Sequence, residues 1–212
     1  MLRKETVEPA TLELLKKLVS LPQLQQFRLV GGTALSLFYG HRKSIDLDLF
    51  TDKPLDKEIL IETLQDNFGQ IITINDRSKS IYQCIIDNVK VDFVSVKDPF
   101  LYQVNIIEDI PLADVKDLIA LKLNAVKGRG VKKDFWDIAK LLQFFSFEDL
   151  FKYYHNRYPY DDTFAVVRSV VYFADAEDTI DPECLDGMDW SKVKSTITKA
   201  FDDYYKNKIN GC

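Results

Sequence analysis

The chain reads as an α+β protein: an N-terminal mixed sheet with flanking helices over residues 1–110, then a C-terminal helical bundle over residues 111–212. Three observations predict this. Short apolar runs with strand-like alternation recur up to Val96, helical stripes of period 3.6 take over from Pro111, and no strand-like stretch follows Ser146. The boundary falls between Val96 and Asp114 as a shift in composition rather than a flexible linker.

Pro9 to Leu21 is a first helix, with Leu12, Leu15 and Val19 on one stripe. Phe27 to Val30 is a strand that runs into Gly31-Gly32, and Thr33 to Tyr39 is a short helix closed by Gly40. Ile45 to Phe50 is the next strand, with Ile45, Leu47 and Leu49 on the core face and Asp46 and Asp48 on the other. Leu55 to Phe68 is helical and stops at Gly69. Strands follow at Ile71 to Asn75 and Ile81 to Ile86, and Asp87-Asn88 turns the chain into a third at Val89 to Val96. From Asp114 to Val126 a stripe of Val115, Leu118, Ile119, Lys122 and Val126 marks a helix ended by Gly128 and Gly130. Another helix starts near Lys132. Phe147 to Tyr158, Thr163 to Ala174 and Trp190 to Lys206 complete the bundle, with Asp181-Pro182 and Asp186-Gly187 in the loops.

Composition narrows the function. Apolar residues make up 46% and aromatics 12%, ample for a packed interior and unlike a disordered chain. Cys84, Cys184 and Cys212 are few and scattered, which suits a reducing cytosol, and no Cys/His cluster has zinc-ligand spacing. No signal peptide or membrane-spanning run is visible, so the expected location is cytoplasmic with no membrane partner. A net charge of −5 argues against broad, sequence-independent nucleic-acid binding. His41-Arg42-Lys43 and the group Lys127, Arg129, Lys132 and Lys133 are local basic clusters, equally readable as phosphate patches or as solvated charge.

The segment from Leu29 to Phe50 carries the chemistry. It joins a Gly-Gly turn, a short helix and an Asp-x-Asp strand. Backbone N–H groups at a helix N-terminus attract anions, and paired carboxylates suit Mg²⁺, which is bound by one or two acidic groups together with substrate phosphates. Either feature alone fits a tight turn or an exposed strand; together they point to nucleotide chemistry. Asp92 lies mid-strand among apolar neighbours, a costly place for a lone carboxylate, and is either a third metal ligand or an edge residue. Lys122 occupies an aliphatic position of its stripe and needs a carboxylate or phosphate partner, unless it snorkels to solvent. Asp134 and Asp137 share one face of a first helical turn, where a capping role is sufficient.

The blocks GGTALSLFYGHRKSIDLDLF and DLIALKLNAVKGRGVKKDFWDI, with FADAE near Ala174 as a weaker match, resemble the nucleotidyltransferase family that includes the AbiEii/AbiGii abortive-infection toxins, within the DNA-polymerase-β-like nucleotidyltransferase superfamily. The resemblance implies a nucleotidyltransferase-type sheet whose Asp46, Asp48 and Asp92 bind divalent metal, Mg²⁺ or Mn²⁺. It implies that Gly31, Gly32 and Thr33 hold the triphosphate of a nucleoside triphosphate, with Arg42 and Ser44 nearby. It further implies that Lys122 contacts the nucleotide as a catalytic residue and that Asp134 or Asp137 completes the site. The expected activity is Mg²⁺-dependent transfer of a nucleoside monophosphate to an acceptor, RNA such as tRNA or a protein, by the toxin of a toxin–antitoxin pair. The alternatives are a nucleotide-binding regulatory module with little turnover and a different Asp-x-Asp enzyme, a phosphohydrolase or glycosyltransferase. Pyrophosphate release separates the first alternative, and the Gly-Gly-helix unit disfavours the second.

Overall fold

Alternation and turn chemistry build the sheet. In the computed structural model, which describes residues 1–210, seven strands run β1 (Arg28–Val30), β2 (Leu47–Thr51), β3 (Ile72–Asn75), β4 (Ile81–Ile86), β5 (Val89–Ser95), β6 (Asn105–Ile107) and β7 (Ile110–Leu112). Their order is β3-β4-β5-β2-β1-β7-β6. β2 pairs in parallel with β5 and antiparallel with β1, while β7 runs parallel to β1, so the sheet is mixed. On β2, Leu47, Leu49 and Thr51 are buried while Asp48 and Phe50 are half-buried; β4 and β5 alternate the same way. One face therefore forms the apolar core, where Phe27 meets Phe93 edge-on with ring centroids 5.4 Å apart.

The chain divides into two units. The first comprises Met1–Gly40 and Ser44–Asp114; the second comprises His41–Lys43 and the chain from Val115 onward. The first holds the sheet and three helices, α1 (Pro9–Ser20), α2 (Gly31–Tyr39) and α3 (Lys57–Phe68). Proline opens α1, where its missing N–H costs nothing. Asp56 caps α3 by accepting from the Ile59 N–H at 3.1 Å, and Gly69, at φ 69°, ends it.

Five helices make up the second unit: α4 (Val115–Gly128), α5 (Lys132–Leu141), α6 (Phe147–Arg157), α7 (Thr163–Ser169) and α8 (Trp190–Asn210). A capping box between Ser146 and Asp149 starts α6. Aromatic side chains fill this unit: Trp136 stacks on Trp190 at 5.5 Å, and Phe147 contacts Phe151 and Phe201. A buried ion pair, Arg157 Nη1 to Asp117 Oδ1 at 2.8 Å, ties α6 to α4. The backbone of His41–Lys43 is bound by Glu183–Leu185, through Lys43 N–H to the Glu183 carbonyl at 2.8 Å and Leu185 N–H to the His41 carbonyl at 2.9 Å.

Four local expectations need correction. α7 ends at Ser169 rather than running on to Ala174, where a separate 3-10 turn begins. Ile45 is 66% exposed, because β2 begins only at Leu47. The preceding residues are irregular: the Ser44 N–H donates to the Thr6 carbonyl at 2.9 Å and the Thr33 hydroxyl donates to the Asp46 carbonyl. α2 starts at Gly31 rather than Thr33. Finally, β6 and β7 form a hairpin where a change to helix is expected. Its turn, Glu108-Asp109, has φ of 52° and 65°, a left-handed pair that Asn or Gly would have announced. Cys212 lies outside the described residues. Among the described residues no helix is long and apolar enough to cross a membrane.

Candidate active site

Register places the first carboxylates. Asp48 on β2 lies opposite Asp92 on β5, and Asp92 lies opposite Gln83 on β4, itself paired with Asn75 on β3. Directly paired residues project from the same face of a sheet, so these four form a polar row across four strands. The row is hydrogen-bonded along its length. Asn75 Nδ2 donates to Gln83 Oε1 at 3.2 Å, and Gln83 Nε2 donates to Asp92 Oδ2 at 2.9 Å. Lys90, two residues before Asp92 on the same face, donates to that same oxygen at 2.8 Å. The other oxygen, Asp92 Oδ1, is buried and has no hydrogen-bond partner.

Lys90 binds the row together electrostatically. Burial alone would lower its pKa, but the hydrogen bond and charge of Asp92, with the charges of Asp46 and Asp48, outweigh burial and raise it. One ammonium thus answers to three carboxylates. Behind the row, burial and then the charge of Asp92 push the Cys84 thiol up to about 12.

α2 begins beside the row. Its N-cap, Val30, is extended and offers no side-chain cap, so the first-turn N–H groups receive no capping side chain. Gly31 has φ 70°, and a Cβ built there would stand 2.0 Å from Asp48 Oδ2. Only glycine permits both that backbone conformation and the approach of the Asp48 carboxylate. Gly32 and Thr33 follow in the first turn. The Thr33 hydroxyl also hydrogen-bonds Ser44 Oγ at 2.9 Å, and both side chains are buried. They fasten the loop that carries Asp46.

A second cluster lies in the helical unit. Asp137 is fully buried and accepts from four groups: Oδ1 from His41 Nε2 and Arg42 Nε, both at 2.7 Å, and Oδ2 from Arg42 Nη2 at 2.9 Å and Lys122 Nζ at 2.7 Å. Lys122 also donates to Asp134 Oδ1 at 2.7 Å, and Arg129 Nε reaches Asp134 Oδ2 at 3.1 Å. Burial works against both charges. The charges of Asp137 and Asp134 nonetheless hold the Lys122 ammonium above the ordinary lysine range, and those of Arg42 and Lys122 hold Asp137 well below the carboxylate range. His41 Nδ1 is buried without a hydrogen-bond partner. Nearby, a Cβ on Gly130 would lie 2.8 Å from that of Asp175, which sits in the FADAE stretch.

The structure therefore brings Gly31, Gly32, Thr33, Ser44, Asp46, Asp48 and Asp92 together in the first unit, and Arg42, Lys122, Asp134 and Asp137 together in the second. Asp134 lies in the first turn of α5, but Asp137, the sixth residue of that helix, lies beyond it, and both are buried ion-pair partners rather than caps. Lys90 and Gln83 escape a reading of the sequence by motif. The signal for Gln83 is the two-residue Asp87-Asn88 turn, with φ of 49° and 64°, which fixes the hairpin register.

Whether these residues suit a divalent cation is testable on the geometry. The donors are hard oxygens, one of them orphaned, and Gly31 leaves room where a side chain would displace Asp48. Among the described residues, however, no group of three or more His, Cys, Asp or Glu is gathered closely enough to hold a metal. Lys90 and Gln83 engage Asp92 Oδ2. In chemistry the donor set fits a divalent cation.

Comparison with known proteins places the chain. The profile described as the nucleotidyl transferase AbiEii toxin of type IV toxin–antitoxin systems matches residues 13–182. The chain belongs to the AbiEii family of nucleotidyl transferase toxins. An uncharacterised protein of Aquifex aeolicus is 31% identical over 201 residues, covering 92% of this chain and 96% of that one. The crystal structure of JHP933 from Helicobacter pylori is similar with a TM-score of 0.53 at 19% identity, covering 96% of this chain and 97% of the other. MenT4, a nucleotidyltransferase toxin of Mycobacterium tuberculosis, is similar with a TM-score of 0.58 at 17% identity, covering 90% and 81%. These two likenesses establish the α+β nucleotidyltransferase-type fold.

Proposed function

We propose that this AbiEii-family chain transfers a nucleoside monophosphate from a nucleoside triphosphate to a hydroxyl group of an acceptor, using Mg²⁺ or Mn²⁺ held by Asp46, Asp48 and Asp92. The observation that carries the reading is the lateral register of Asp48 with Asp92 beside an uncapped helix N-terminus. In the reaction the acceptor oxygen bonds to the α-phosphorus, the bond to the β-phosphate oxygen breaks, and pyrophosphate leaves while the hydroxyl proton passes to solvent. The metal, when bound, supplies charge neutralisation on the phosphates and acidifies the attacking hydroxyl.

The chain's own groups do the rest. N–H groups of Gly31, Gly32 and Thr33 at the start of α2 hold phosphate oxygens, favoured by the positive end of the helix dipole. Gly31 lets the Asp48 carboxylate lie against that terminus, so the anion pocket and the metal ligand share one boundary. Thr33 and Ser44 keep the Asp46 loop in place. Lys122, Arg42, Asp134 and Asp137 saturate one another's charge, and we assign them a positioning role that holds α4, α5 and the His41–Lys43 segment in one arrangement.

RNA, tRNA included, is the acceptor class we favour, because exposed basic residues such as Arg129 are available to a polyanion, with a protein acceptor as the other outcome of the test. The reading includes a cognate antitoxin as partner and a cytoplasmic place of action, which the family's toxin–antitoxin description supports. A second reading, a nucleotide-binding module with little turnover, draws on the engagement of Asp92 by Lys90 and Gln83. Incubating the protein with each labelled NTP, Mg²⁺ and total RNA separates them. Label on RNA or protein that is lost in Asp48→Asn supports the enzyme; NTP binding without pyrophosphate release supports the module and overturns the proposal.

A further inference from the structure

The two oxygens of Asp92 are unequal: Oδ2 accepts from both Lys90 and Gln83, while Oδ1 is buried and bare. Lys90 is the mobile member of this set. Its side chain is 40% exposed, so its flexible stem can swing outward without uncovering the core, whereas Asp92, at 14%, cannot move far. The fields of Asp46 and Asp48 act on the same ammonium. A divalent cation bound at Asp92 would compete with Lys90 for the same carboxylate.

We infer that Lys90 is a displaceable internal cation: it pairs with Asp92 Oδ2 and leaves that oxygen when a divalent cation arrives. This rests on the metal reading of the carboxylate row given above. It assigns Lys90 two effects. It keeps the row from repelling itself apart before metal binds, and it weakens the apparent metal affinity because its ion pair must first be broken.

The experiment measures Mn²⁺ binding by electron paramagnetic resonance and by calorimetry, with no nucleotide present, for wild type, Lys90→Met, Lys90→Gln, Lys90→Arg and Asp92→Asn. A partly exposed ion pair is worth up to about 1 kcal/mol, so both neutral variants should bind Mn²⁺ about fivefold tighter than wild type. Lys90→Arg should stay close to wild type. In chelator the neutral variants should melt below wild type, and Mn²⁺ should erase that difference. Neutral variants that bind Mn²⁺ no tighter than wild type, while Asp92→Asn loses binding, overturn the role of Lys90 and leave the metal reading standing. Absent Mn²⁺ binding in every protein, or undiminished binding in Asp92→Asn, overturns both.

Discussion

Replacing Lys122 with methionine removes the cation at the centre of the helical unit's ion network while keeping a side chain of similar length. Lys122 Nζ stands 2.7 Å from both Asp134 Oδ1 and Asp137 Oδ2, and the lysine and both aspartates are buried. The loss falls unevenly. Asp137 keeps the Arg42 fork and His41, but Asp134 is left with Arg129, whose side chain is 58% exposed. Stranding a buried charge by removing its partner costs about 3–5 kcal/mol. For a chain of this size that is a fall of roughly 6–20 °C in melting temperature. Both tryptophans, Trp136 and Trp190, lie in this unit and stack on each other, so intrinsic fluorescence reports its unfolding directly. Adding Asp134→Asn to Lys122→Met should recover more than half of the loss, because the stranded charge is then gone. A single variant that melts within about 2 °C of wild type, or a double variant no better than the single, would refute the reasoning.

The remaining expectations are more local. The network's contribution to stability depends on pH with a definite sign: Asp137 is depressed when folded, so its part is present above the unfolded value near pH 4 and lost as pH falls through the lower folded one. Lys122 is raised, so its part is complete below about pH 10.4 and lost as pH rises through its folded value. Urea titrations should therefore show a plateau between about pH 5 and 10, and a wild-type stability that climbs on acidification below it would contradict the ion pairs. Gly31→Ala forces a Cβ into a left-handed backbone 2.0 Å from Asp48 Oδ2; about 1–3 kcal/mol of stability should go, along with transferase activity, and an active, fully stable variant would contradict the close approach. Asp48→Asn should lower turnover by roughly a hundredfold or more while melting no lower than wild type, since it removes charge from a repelling group. Cys84, with its thiol pushed up to about 12, should escape alkylation at pH 8 in the folded protein while half-buried Cys184 reacts, as peptide mass mapping would reveal.

Much of the sheet is legible because each strand carries its own alternation: Leu47 and Leu49 against Asp48, and Val91 and Phe93 against Asp92, mark the buried and open faces without any partner. What alternation cannot supply is register between non-consecutive strands. The pairing of Asp48 with Asp92 joins β2 to β5 across a helix and a hairpin, so its basis is tertiary. The Gln83 pairing, by contrast, follows from the Asp87-Asn88 turn and is local. Lys122 announces its need for a partner by interrupting an apolar stripe, but its partners stand 12 and 15 positions away on the next helix. Arg42 reaches Asp137 across 95 residues, and nothing in either stretch alone records that. Ile45 misleads because two hydrogen bonds, one from the Ser44 N–H to the Thr6 carbonyl and one from the Thr33 hydroxyl to the Asp46 carbonyl, hold the backbone before β2 out of strand geometry, a constraint with no local mark.

Soaking or co-crystallising the protein with Mn²⁺ and a non-hydrolysable nucleoside triphosphate would locate metal and phosphates together. Anomalous density should appear within about 2.0–2.1 Å of oxygens from both Asp48 and Asp92, with the triphosphate against the N–H groups that open α2. Manganese held elsewhere, or a triphosphate that ignores Gly31–Thr33, would contradict the proposed site.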